Sequence, residues 1–209
     1  MKVGVINYGM GNLGSVVKAV EDIGFTCKIL NHPKDIWDCA RVILPGVGSF
    51  FDGMARLKEE GWHTELHRYV LEDKNALLGI CLGMQMLATF GEEGGGHEGL
   101  GLVPGRVERF DKLGCTERIP HVGWNEIEEK NSDPLFAKIP NKTDFYFVHS
   151  FVFNCEKPEN ITSTCLYGIH FPSSVRNGNV IGVQFHPEKS SKAGRQLLLN
   201  FLEQKEWSK

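Results

Sequence analysis

Apolar positions in the first ninety or so residues fall into short runs separated by amphipathic stretches. Residues 3–6, 26–30 and 41–44 are β-branched runs of strand length, and residues 15–23 carry their apolar side chains at helical spacing. Helical spacing returns at residues 54–57 and 66–71. A continuous apolar run at 76–80 then passes directly into residues 82–87, which read as a helix. Strands alternating with amphipathic helices predict a parallel sheet, because each crossover helix must bury its apolar stripe against a sheet face.

Beyond Gly101 the texture becomes β-rich, with strand-like segments at 102–110, 121–127, 144–153, 161–169 and 180–185 separated by turn residues. Residues 193–202 close the chain as a helix that places Leu197, Leu198, Phe201 and Leu202 on one face. The expected fold is α/β: a mostly parallel central sheet, helices on both faces, and a β-rich extension. No repeat or low-complexity linker divides the chain. One domain is expected over residues 1–205, followed by a short polar tail at 206–209. A length of 209 residues fits this, since single cores stop growing only at roughly 250–300 residues.

Composition narrows the partners more than the fold. With 41% hydrophobic and 23% charged residues, the chain has the balance of a globular protein. A formal net charge of −3 supplies no basic field for nucleic acid or anionic lipid, so small molecules or proteins are the expected partners. The N-terminus turns polar too early for a signal peptide, and no apolar run approaches the roughly 20 residues of a membrane span. A cytoplasmic location is expected. The six cysteines, at 27, 39, 81, 115, 155 and 165, include no C-x-x-C pair and no histidine at zinc-like spacing. Neither a metal site nor a cofactor is expected.

One of those cysteines stands apart. Gly79-Ile80-Cys81-Leu82-Gly83 lies between a buried strand and a helix and has the form of a nucleophile elbow with Cys in place of Ser. Small neighbours tolerate so tight a turn, and the helix N-terminus that follows favours a thiolate. A second strand end carries His186-Pro187-Glu188. Residues two apart in extended chain point the same way, so Glu188 can fix the tautomer of His186 and support its imidazolium. A third strand end, Pro45-Gly46-Val47-Gly48, is a Gly-rich turn whose backbone N–H groups, with that of Leu82, can face a developing oxyanion. Ligands of open α/β sheets bind beyond the carboxyl ends of the strands, where all three segments fall. Gly9-Met10-Gly11-Asn12-Leu13-Gly14 also matches a dinucleotide fingerprint, but the acidic residue that would bind a ribose is missing after the second strand.

With these residues in view, the chain resembles the class I (triad) glutamine amidotransferases, whose fold is flavodoxin-like. Within them it is most similar to the glutaminase subunits of imidazole glycerol phosphate synthase. The likeness runs nearly end to end, through residues 7–12, 45–48, 79–85, 120–125 (Pro-His-Val-Gly-Trp-Asn), 146–150 and 182–190. It implies that Cys81, His186 and Glu188 hydrolyse glutamine and that Gly46, Val47, Gly48 and Leu82 shape the oxyanion site. It further implies that Gln85, Glu93, His149, Ser150 and Phe151 hold glutamine. Asn12, Trp124 and Lys189 would face a synthase (cyclase) subunit with a β/α-barrel fold, in a heterodimer through which ammonia passes.

Residues 86–91 and Phe151 depart from the usual family pattern, where a Tyr is common at the latter position. A paralogue that supplies ammonia to an ATP-dependent synthetase amidating a surface sugar keeps the same triad and is therefore an alternative. A noncatalytic regulatory or nucleotide-binding protein and a cysteine peptidase are further readings.

Overall fold

The computed structural model describes residues 2–205 and Trp207. The chain runs β1 (Lys2–Ile6), α1 (Leu13–Glu21), β2 (Thr26–Leu30), β3 (Arg41–Gly46), α2 (Phe50–Glu59), α3 (Trp62–His67), β4 (Ala76–Cys81) and α4 (Leu82–Met86). There follow β5 (Phe90–Gly91), β6 (His97–Glu98), β7 (Gly105–Arg109), β8 (His121–Glu129), β9 (Asp144–His149) and β10 (Phe151–Cys155). The last elements are β11 (Ile161–Tyr167), β12 (Ile169–Asn177), β13 (Val180–Val183) and α5 (Ser191–Glu203).

A nine-stranded sheet in the order β2-β1-β3-β4-β13-β12-β11-β8-β9 forms the body. The pairings from β2 to β13 are parallel, and those from β13 to β9 are antiparallel. The expected β-rich extension is thus continuous with the parallel half. A smaller sheet, β10-β7-β5-β6, is not hydrogen-bonded into it and packs against one of its faces.

Alternation along the parallel strands assigns each side chain to one of two cores. Val3 and Val5 of β1, Ile43 of β3, and Leu78 and Ile80 of β4 pack with α1 and α5. Ile6, Val42, Leu44 and Leu77 pack with α2, α3, α4 and the smaller sheet on the opposite face. On α5, Leu197, Leu198, Phe201 and Leu202 are buried as their spacing predicts, each removal from water being worth about 1.5–3 kcal/mol.

Two expected segments divide. Residues 144–153 break at Ser150, so β9 joins the large sheet and β10 the small one. Residues 161–169 contain a hairpin turn at Gly168, which separates β11 from β12. Within the segment expected as a polar tail, Trp207 is buried and donates its indole N–H to the Phe201 carbonyl at 3.2 Å. Residues 206, 208 and 209 lie outside the described residues. No helix among the described residues is long and apolar enough to cross a membrane.

Candidate active site

β4 delivers Cys81 to the carboxyl end of the sheet, and α4 leaves at once. Cys81 has φ +55° and ψ −111°, a backbone region costly for any residue with a Cβ. The turn closes because its flanking residues have no side chains. A Cβ on Gly79 would meet the Gly83 carbonyl oxygen at 2.6 Å, and one on Gly83 would collide with the Leu44 carbonyl oxygen. The helix that follows is only five residues long, so its dipole is a small influence on the thiol.

β13 pairs with β4 in register, Val183 opposite Ile80, which brings the next few residues beside Cys81. His186 is held by its own N–H to the Tyr146 carbonyl (2.9 Å) and by its carbonyl, which accepts from Ser190 Oγ at 2.6 Å. Its Nδ1–H donates to Glu188 Oε1 at 2.7 Å, with both side chains almost wholly buried. With Cys81 in its thiol form and the ring neutral, Nε2 therefore carries the lone pair. It makes no hydrogen bond among the described residues, while Cys81 Sγ lies 3.9 Å from the Val148 carbonyl, the thiol's acceptor in this conformation. Burial alone would lower the His186 pKa, but interactions with Cys81 and Glu188 outweigh it and raise it to about 9. No hydrogen bond joins Cys81 Sγ to His186 Nε2 in this conformation, and such bonds in unliganded sites commonly tighten only with substrate.

Cys81 and His186 open onto a cavity of about 310 Å³ walled by Val47, Gly48, Leu82, Gln85, Glu93, Pro120, Val148, His149, Ser150 and Phe151. All five residues expected to hold glutamine contribute to it. Gly46 does not: it pairs with Cys81 at the end of β3 and buttresses the elbow from behind. Val47 is 43% exposed and Gly48 has φ +105°, and both border the cavity. Glu188 likewise stands behind His186 rather than in the wall.

Several supports come from residues that spacing alone could not single out. Tyr8 is fully buried, and its hydroxyl donates to the Pro45 carbonyl at 3.0 Å under the 45–48 turn. Burial, aided by the nearby Cys81, holds its phenol protonated far above the ordinary range. The Gly9–Gly14 loop also supports this turn: a Cβ on Gly11 would touch Pro45, and one on Gly48 would meet the Met10 methyl. Asn12 caps α1 by accepting from the Ser15 N–H. Glu93 Oε2 accepts from the Phe50 N–H at 2.7 Å, which ties the cavity wall to the start of α2.

His149 Nδ1–H donates to the Phe151 carbonyl at 2.8 Å, and burial drives its pKa down to about 3. The Nε2 lone pair of neutral His149 faces His121 Nδ1, 3.1 Å away, while His121 Nε2 lies 2.8 Å from Asn125 Oδ1. The Phe151 carbonyl also accepts from Gln85 Nε2 at 3.1 Å. Trp124, half exposed on β8, meets the edge of Tyr146, and Lys189 Nζ lies 5.6 Å from the centre of the same ring. These two residues expected at a partner surface therefore share one aromatic contact.

A thiol beside a carboxylate-backed imidazole, in a cavity bordered by a Gly-rich turn, is equipped for acyl transfer. The comparisons agree with that chemistry. The family described as glutamine amidotransferase class-I matches residues 4–205. The imidazole glycerol phosphate synthase subunit HisH of Desulfitobacterium hafniense (strain DSM 10664 / DCB-2) is 47% identical over 199 residues, covering 95% of this chain and 92% of that protein. A subunit HisH 1 from Campylobacter jejuni subsp. jejuni serotype O:23/36 (strain 81-176) is 46% identical, covering 95% and 98%. Among solved structures, that of PurLQS from Thermotoga maritima superposes with a TM-score of 0.76 at 20% identity, over 96% of this chain and 97% of that one, and shares the fold. The chain belongs to the class I glutamine amidotransferases, and within them to the family of the HisH subunits of imidazole glycerol phosphate synthase.

Proposed function

We propose that this chain is the glutaminase subunit of imidazole glycerol phosphate synthase, acting as a single amidotransferase domain over residues 1–205 in the cytoplasm. It hydrolyses glutamine to glutamate and passes ammonia to a cyclase subunit that makes imidazole glycerol phosphate and AICAR in histidine biosynthesis. The observation that carries this reading is the convergence of a strained Cys81 elbow and the His186–Glu188 pair on one cavity, in a chain 46–47% identical to HisH subunits.

The chemistry follows from the geometry. Proton transfer from Cys81 Sγ to His186 Nε2 gives a thiolate–imidazolium pair, and the thiolate attacks the side-chain amide carbon of glutamine. Glu188 holds Nδ1–H and stabilises the imidazolium. The tetrahedral oxyanion is met by backbone N–H groups of Val47 and Gly48 and by that of Leu82. His186 then gives its proton to the departing nitrogen, ammonia leaves, and a thioester remains on Cys81. Water, deprotonated by His186, hydrolyses the thioester to glutamate. Glu93 and the 149–151 segment hold the amino-acid end of glutamine in the same cavity.

The partner is a cyclase subunit with a β/α-barrel fold, docked as a heterodimer on the face that carries Asn12, Trp124 and Lys189. A Cys81→Ala complex tests the division of labour: glutamine-dependent synthesis should fall at least about a thousandfold, while synthesis from added ammonium continues. Loss of both activities would refute it. Activation by a sugar-amidating synthetase instead of the cyclase would move the chain to the alternative pathway.

A further inference from the structure

Gln184 lies two residues before His186 and is fully buried. Its side chain has a donor and an acceptor to place, and neighbouring groups determine which faces which. The Phe151 carbonyl can only accept, so the Gln85 carboxamide must present its NH2 there, at 3.1 Å. The second hydrogen of the same NH2 then reaches Gln184 Oε1 at 3.0 Å. With its oxygen committed, Gln184 must turn its own NH2 to the other side, where it meets Cys81 Sγ at 3.7 Å. A backbone carbonyl in the wall of the glutamine cavity thereby fixes the polarity of a chain that ends on the nucleophile.

We infer that Gln184 is a positioning residue for the thiolate: its N–H donates to Cys81 Sγ and, through Gln85, couples the sulfur to the segment that holds the substrate. The inference rests on the proposed glutamine hydrolysis and adds to it a fixed hydrogen-bond donor that His186 does not supply. In the thiol form Sγ–H is directed toward the Val148 carbonyl, at 3.9 Å. On ionisation that contact turns repulsive, since a carbonyl oxygen cannot donate, whereas the Gln184 contact strengthens because N–H bonds to a charged acceptor are roughly twice as strong as neutral ones. Gln184 therefore favours the attacking form. Because the Phe151 carbonyl accepts from both Gln85 and His149, the 149–151 segment is linked to the sulfur through two amides.

The test is the pH dependence of Cys81 alkylation by iodoacetamide, read as the mass increment on the Cys81 peptide so that other cysteines do not contribute. Gln184→Glu keeps the acceptor for Gln85 and removes the donor to sulfur; Gln184→Met removes both at similar size. Each should lower the alkylation rate at neutral pH about tenfold and move its midpoint to higher pH, with the change in glutaminase turnover in kcat more than in KM. In the wild-type protein the Gln184 side-chain NH2 resonances should shift with pH at the alkylation midpoint, which reads the contact even where a variant does not fold. A variant profile that superimposes on the wild type, or NH2 resonances indifferent to Cys81 ionisation, would overturn the inference. Alkylation needs no turnover. A shifted profile in a chain that no synthase subunit activates would therefore uphold the role of Gln184 while refuting the proposed pathway.

Discussion

His186 carries the most informative charge in the molecule. Its folded pKa of about 9 lies above the roughly 6.5 of a free imidazole. The imidazolium therefore stabilises the fold fully below about pH 6.5, and that contribution is lost as pH rises through about 9. The melting-temperature advantage of the wild-type protein over His186→Gln should accordingly shrink across that window, and an advantage constant from about pH 6 to 10 would contradict the pairing with Cys81. Glu188 is the other half of this arrangement: Glu188→Gln should leave the chain folded and reduce glutamine hydrolysis by about two to four orders of magnitude, as with the carboxylates of other triads. At this scale much of the site was legible, since an elbow and a His-x-Glu at strand ends are written in contiguous residues. Gln184, Tyr8 and the His121–His149 contact were not, because each depends on a partner 28 or more positions away.

Among the elements, the β4–α4 elbow is the most constrained. Gly83 approaches the Leu44 carbonyl so closely that an added methyl must push β3 and α4 apart. Gly83→Ala should lower unfolding free energy by about 1–3 kcal/mol or more, the usual range for overpacking a core, and should displace Cys81. A urea midpoint equal to the wild type would sink this account of the turn. The parallel half of the sheet could be read from its β-branched runs because every crossover helix adds a periodic stripe. The antiparallel half was harder to parse. Residues 144–153 look like one strand, and only the competition of two sheets for its halves breaks it at Ser150. That break sets Val148, His149, Ser150 and Phe151 along one wall of the cavity. The two-residue strands β5 and β6 are too short to leave a periodic signal, and their pairing depends on β7. Trp207 shows the reverse error: a polar setting in sequence hides a side chain that folds back onto Phe201.

For the whole molecule, the sheet brings the elbow, the His186 turn and the 45–48 turn to one end and leaves Trp124, Tyr146 and Lys189 together at its surface. An exposed aromatic of this kind, covered in a complex, contributes about 2 kcal/mol or more when it is a hot spot. Trp124→Ala should therefore weaken binding of the synthase subunit about thirtyfold, with the melting temperature of the isolated chain little changed. An unaltered dissociation constant in calorimetry would remove Trp124 from the interface. The central claim is tested most directly by glutamate release from glutamine, measured for the purified chain alone and with the cyclase subunit and its nucleotide substrate. Strong stimulation by the cyclase that vanishes in Cys81→Ala is the predicted result; glutamate release unaffected by the cyclase, or persisting without Cys81, would contradict it.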